Sequence, residues 1–344
     1  MLNSKFLILN SLALCVAACG AAAPPVTYPV MPSALTPIDA DHDKAKDFAR
    51  VFCSTLPHLK DKDGHAWGDC GKYLEVSEPP RAQAAAFSTP YRFLFVAGFG
   101  GECFKDVRAF STSIAHLKTA HQIDVEYFAV APFGSSEENA HSIAKHLDEG
   151  WAADKTRRYV LIGYSKGAAD LLEALRLLAA PRTKVAALVT IAGAVGGSWL
   201  PDEIRALMQG SQPWIASGCP GNVQDGLHSL TRELRLRFLR ENPLPVAGYS
   251  IVAASSHDET SSILRVMWKQ LSIYAKEQDS QLVAWEAVLP GGKYLGAARA
   301  DHWAIAMPFD ESPQPPKSVD RNHFPRDALL EAIVRFVAAD LGSS

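Results

Sequence analysis

From Tyr91 to the C-terminus, short apolar runs alternate with stretches whose apolar residues recur every third or fourth position. Phe93-Leu94-Phe95-Val96-Ala97 ends at Gly98, Tyr159-Val160-Leu161-Ile162 ends at Gly163, and Val185 to Ile191 and Tyr249 to Ala254 have the same character. Runs without polar alternation predict strands covered on both faces, as in a parallel sheet. A further strand is predicted at Val125 to Val130. Asp106 to Leu117 and Glu137 to Leu147 read as helices. After Ile162, residues Ala168, Leu171, Leu172, Leu175, Leu178 and Ala179 share one helical face. Asp327 to Leu341 predicts a closing amphipathic helix. This alternation implies an α/β fold, a mainly parallel doubly wound sheet with helices on both faces. It lapses over about 199–246, where Pro201, Pro213, Pro220, Pro243 and Pro245 accompany a charged helical piece from Gln224 to Arg240. An interruption of that size predicts an inserted cap.

The first ninety residues follow other patterns. Residues 1–18 place Lys5 ahead of an apolar stretch, Phe6 to Ala18, that is shorter than the roughly 20 residues of a membrane span, so a secretory signal peptide is expected. Val16-Ala17-Ala18-Cys19 resembles a bacterial lipobox. That resemblance implies lipidation of Cys19, a mature chain beginning there, and a lipid anchor in the bacterial cell envelope. Gly20 is not an acidic retention residue, so the outer membrane is the expected address. The alternative is an ordinary signal peptide cut near Ala18. Residues 19–40, with Pro24, Pro25, Pro29, Pro32 and Pro37, predict an extended tether. Residues 41–90 read as an N-terminal extension with a helix around Lys44 to Phe52, and 91–344 as the main domain.

Export changes the reading of the cysteines. Cys15 leaves with the signal, and Cys53, Cys70, Cys103 and Cys219 remain, an even number suited to disulfides in an oxidising compartment. Closeness in sequence favours Cys53 with Cys70, leaving Cys103 with Cys219. A zinc site is the rival reading, but neither CxxC nor HxxxH spacing supports it. Composition narrows the partners further. The 344 residues are 48% hydrophobic and 21% charged, a globular balance, and 34 Lys+Arg against 37 Asp+Glu give a net charge of −3. With no long basic run, a nucleic-acid partner is not expected.

The chemistry centres on Gly163-Tyr164-Ser165-Lys166-Gly167, a G-x-S-x-G string lying between a predicted strand and a predicted helix. That context makes a nucleophile elbow, in which a tight turn projects the serine above the sheet. A serine hydroxyl needs a base to take its proton. Among the eleven histidines, His257, His302 and His323 lie beyond the cap, and His302, following the apolar-leaning segment Tyr294-Leu295-Gly296-Ala297-Ala298 that reads as the last strand, is best placed. An acid must orient the imidazole. Asp279 is the first choice and Asp258 the alternative, while Asp301, adjacent to His302, is a poor orienter because neighbouring side chains diverge. Two backbone N–H groups could form an oxyanion hole, those of Lys166 and of Phe99 in Ala97-Gly98-Phe99-Gly100-Gly101. Phe99, Trp199 and Trp303 are candidates for an acyl pocket.

Together the GYSKG, AGFGG, DSQLV and ADHW segments resemble the α/β-hydrolase superfamily, over roughly Tyr91 to Leu341, and more narrowly its esterase and lipase-like members. The resemblance implies an α/β-hydrolase fold with Ser165 as nucleophile, Asp279 as acid, His302 as base, and Phe99 and Lys166 as oxyanion donors. It implies hydrolysis of a small-molecule or lipid carboxylic ester through an acyl-enzyme, with no metal or cofactor. Many lipases have His-Gly where this chain has Ala97-Gly98, which weakens the case for action on emulsified fat. No G-x-G-x-x-G or Walker loop suggests a nucleotide. A second reading is an inactive lipoprotein of the same fold that binds or interacts in the envelope. A third is a depolymerase or phospholipase acting on a larger substrate.

Overall fold

The computed structural model describes residues 40–80, 87–104, 106–201, 204 and 219–342. The expected signal peptide, Cys19 and all of the tether but Ala40 lie outside them, as do residues 202–203 and 205–218 of the expected cap.

Six strands form one sheet: β1 (Arg92–Val96), β2 (Val125–Tyr127), β3 (Tyr159–Tyr164), β4 (Val185–Ile191), β5 (Ala247–Ala254) and β6 (Lys293–Arg299). Their order is β2-β1-β3-β4-β5-β6 and every pairing is parallel. The period of two in a strand distributes their side chains between two cores. Phe93, Phe95, Val160, Ile162 and Val189 enter one, whereas Leu94, Val96, Leu161 and Leu188 enter the other. This accounts for the unbroken apolar runs.

Helices cover both faces. α1 (Ala45–Thr55), α2 (Ser111–His121) and the C-terminal helix Arg326–Gly342 supply the first core, where Phe48 meets Phe336 edge to face at 5.9 Å. α3 (Ser136–Ala153) and α4 (Lys166–Leu177) supply the second through residues such as Ile143, Leu147, Leu171 and Leu175. Disulfides join Cys53 to Cys70 and Cys103 to Cys219. The second ties the turn after β1 to Cys219, within the expected cap.

Three details differ from the expected pattern. Asp106 and Phe110 have positive φ, and the Phe110 N–H donates to the Ala306 carbonyl, so α2 begins only at Ser111. The charged piece is two helices, Val223–His228 and Arg232–Glu241. Between them the Leu230 carbonyl accepts from Ser198 N–H, a contact a continuous helix would have consumed. The β5-to-β6 crossover also contains an unexpected helix, Arg265–Leu271.

The strand order fixes where a ligand can enter. β1 and β3 are neighbours, and the chain leaves β1 towards β2 on one side but leaves β3 towards β4 on the other. Such a reversal opens a crevice at the carboxyl ends of the two strands. The segments emerging there are Ala97–Gly101 after β1 and Ser165 after β3.

Candidate active site

Ser165 joins β3 to α4 with φ 53° and ψ −123°, outside the usual regions for an L-residue. Contacts around two glycines enforce this turn. A Cβ at Gly163 would stand 2.6 Å from the Ala168 nitrogen, and one at Gly167 would stand 2.2 Å from the Val96 carbonyl oxygen. Strand, turn and helix can approach so closely only without those side chains.

The turn directs the Ser165 hydroxyl at His302. Oγ lies 2.8 Å from Nε2, and Nδ1 lies 2.7 Å from Asp279 Oδ2. The three residues are buried, at 8%, 2% and 1% exposure for Ser165, His302 and Asp279. An ionised carboxylate only accepts hydrogen bonds, so Nδ1 carries the proton and Nε2 offers its lone pair to the serine. Asp279 is itself held: its Oδ1 accepts the Gln281 and Leu282 N–H groups at 2.9 and 2.7 Å. The His302 N–H donates to the Asp279 carbonyl at 2.8 Å, joining the two loops through their backbones as well.

Two further residues position the histidine, and sequence reasoning did not find their roles. The Tyr164 hydroxyl donates to the His302 carbonyl at 2.6 Å, with its ring stacked on the imidazole at 5.3 Å. Burial, followed by the negative charges of Asp279 and Asp301, pushes its pKa well above the ordinary tyrosine value, which keeps this donor protonated. Asp301 accepts the N–H groups of Ser261, Trp303 and Ala304 at 2.8, 3.0 and 2.8 Å. Burial raises its pKa against the lowering effect of those bonds. Its carboxylate organises the turn rather than the imidazole. A G-x-S-x-G string marks only the serine, and nothing in it reports what the neighbouring tyrosine will touch.

The other candidates lie elsewhere. His257 is beside the exposed Asp258, and His323 stacks on Trp67 at 4.5 Å. Trp199 donates from Nε1 to Glu286 at 2.7 Å. The small cavity at Ser165, of about 20 Å³, is instead lined by residues including Phe99, Phe104, Ile204, Trp303 and Met307.

The loop after β1 lies against the serine. A Cβ added to Gly98 would stand 2.7 Å from Ser165 Cβ and 3.1 Å from Oγ. The following N–H, that of Phe99, therefore belongs to backbone in van der Waals contact with Ser165. Lys166 is the first residue of α4, where an N–H has no partner within the helix. These are the two expected oxyanion donors. Gly98→Ala is expected to displace the loop and lower kcat/KM at least about tenfold with little change in circular dichroism. Steady-state assay of the purified variant checks this.

Among the described residues, two groups of side chains have donor sets compatible with a metal ion: His116 with His121 and Glu331, and Asp61 with Asp63 and His65. Neither includes a residue of the Ser165 site.

In comparisons with known proteins, the chain is similar to a metagenomic carboxyl esterase, MGS0156. The two structures align with a TM-score of 0.75 at 30% identity, over 90% of this chain and 96% of that one. The mature form of Bacillus licheniformis lipase BlEst2 aligns with a TM-score of 0.52 at 16% identity, over 75% of this chain and 96% of the lipase, a likeness of fold. No protein-family model and no curated protein sequence matches the chain.

Proposed function

Because the chain belongs to the α/β-hydrolase family, among its ester hydrolases, we propose that it cleaves carboxylic esters by serine catalysis, with Ser165, His302 and Asp279 as its catalytic residues. The observation carrying this reading is the hydrogen-bonded line from Asp279 through His302 to Ser165. In the reaction, His302 Nε2 takes the hydroxyl proton as Ser165 Oγ attacks the ester carbonyl. The Phe99 and Lys166 N–H groups receive the charge that develops on the carbonyl oxygen. His302 then passes the proton to the departing alkoxide, leaving the acyl group on Oγ. Water, deprotonated by the same nitrogen, attacks that acyl-enzyme and releases the acid, and the serine recovers its proton.

A cavity of about 20 Å³ has room for about one water-sized group, which favours the shortest acyl chains. The test is labelling of the purified protein with a fluorophosphonate, together with kcat/KM for p-nitrophenyl esters of increasing length. Labelling and a maximum at the acetate or propionate are expected. An unlabelled protein inactive on every ester would overturn the reading.

The lipid anchor is proposed separately, on the Val16-Ala17-Ala18-Cys19 string. Acyl chains hold a protein to a bilayer through about 0.8 kcal/mol per buried CH₂, so removing their attachment point should release it. Cys19→Ser is expected to be washed from membranes by buffer. Retention until detergent is added would count against the anchor.

A further inference from the structure

We infer that the side chains of Lys166, Asp170 and Asn139 form a positioning network that keeps the two oxyanion N–H groups in register, an inference that rests on the serine-hydrolase reading above. Lys166 contributes one of those donors from its backbone, yet its side chain is 2% exposed and serves another purpose. Nζ donates to both carboxylate oxygens of Asp170, at 2.6 and 2.8 Å, one turn along α4. Asp170, 0% exposed, accepts from Asn139 Nδ2 on α3 at 2.8 Å. Asn139 in turn clamps the backbone of Ala131. Its Nδ2 donates to the Ala131 carbonyl and its Oδ1 accepts the Ala131 N–H, both at 3.1 Å. One residue further on, the Pro132 carbonyl accepts the Gly100 N–H at 2.9 Å, and the Phe133 ring lies 5.0 Å from that of Phe99.

A path of hydrogen bonds thus leads from the residue carrying one oxyanion donor to the loop carrying the other. That loop needs outside support. Gly98, Gly100 and Gly101 give it little side-chain mass with which to pack, and Gly100 has φ 70°. Apolar contacts could hold α3 against α4 equally well, and buried ion pairs are commonly replaceable by apolar residues without loss of stability. What apolar contacts do not supply is direction. The Asn139 amide, oriented by Asp170, fixes both the height and the tilt of the Ala131–Pro132 backbone. Burial draws the Lys166 ammonium below the ordinary lysine pKa, and Asp170 opposes that shift by charge and hydrogen bonding.

The network contacts no substrate, so its loss should appear in transition-state binding. The variants are Asn139→Ala and the double replacement Lys166→Met with Asp170→Leu, which removes both charges of the pair, while the buried Arg235 keeps its partner Glu173. In each, kcat on p-nitrophenyl acetate is expected to fall at least about tenfold with KM within about twofold. The inhibition constant of a boronic acid, whose anionic adduct occupies the oxyanion site, should rise by the factor lost from kcat/KM. Measurements are made where circular dichroism shows full folding. Folded variants that keep kcat, or lose it with no change in boronate affinity, would overturn the inference. Failure of both variants to fold would identify a simple strut and overturn it equally. A wild-type protein that resists fluorophosphonate would instead reject the serine-hydrolase reading, which separates the two failures.

Discussion

Ser165→Ala is expected to lower kcat on a short p-nitrophenyl ester by about 10⁴-fold to 10⁶-fold and to abolish fluorophosphonate labelling. The fold should survive, because the substitution keeps the Cβ against which Gly98 packs and removes only an oxygen whose hydrogen-bond partner among the described residues is His302 Nε2. Stability identifies what holds the serine. At φ 53° any residue with a Cβ is strained, and relief of such strain is worth on the order of 1 kcal/mol. Ser165→Gly should therefore melt about 1–2 °C above Ser165→Ala while being just as inactive. Two inactive variants with the glycine form the more stable would show strain held by the surrounding contacts. An alanine variant retaining a tenth of the parent activity would remove Ser165 from the chemistry.

How much of this site was legible in the sequence depended on the range of the interactions. The strands were readable because a parallel sheet covered on both faces favours long apolar runs, and Val185–Val189 supplies five such residues before Thr190. The elbow was readable for a local reason, since its glycines, serine and flanking elements are contiguous. His302 and Asp279 were reachable through chain order, although they are 23 residues apart and meet only through two loops. Other features lay beyond such reasoning. The break at Ser229–Thr231 depends on Ser198 seeking a carbonyl from a distant segment. Lys166 reads in sequence as a residue beside a nucleophile, and only its burial reveals that the ammonium is committed to Asp170. Tyr164 and Asp301 act on the backbone of the histidine loop, a service that leaves no motif.

Asp279→Asn is expected to cost about 10⁴-fold in kcat through the direction of one hydrogen bond, with the shape of the site preserved. The two carboxylate oxygens are not equivalent. Oδ1 faces the N–H groups of Gln281 and Leu282, and Oδ2 faces His302 Nδ1. An asparagine must turn its carbonyl oxygen towards the two backbone donors, because the opposite orientation would set its NH₂ against them. The amide NH₂ then points at Nδ1, which becomes an acceptor, so the imidazole proton moves to Nε2 and faces the Ser165 hydroxyl. A protonated Nε2 cannot take the serine proton. Nitrogen-15 resonances of His302 should report this tautomer exchange, while KM stays near its parent value. Asp258→Asn serves as the control, since that side chain is 97% exposed and paired with His257, and its activity should match the parent. If the two substitutions had equal effects, Asp279 would not be orienting the base. If the asparagine variant at 279 were slow yet retained the Nδ1-protonated imidazole, the loss would arise from the missing negative charge instead of the misplaced proton.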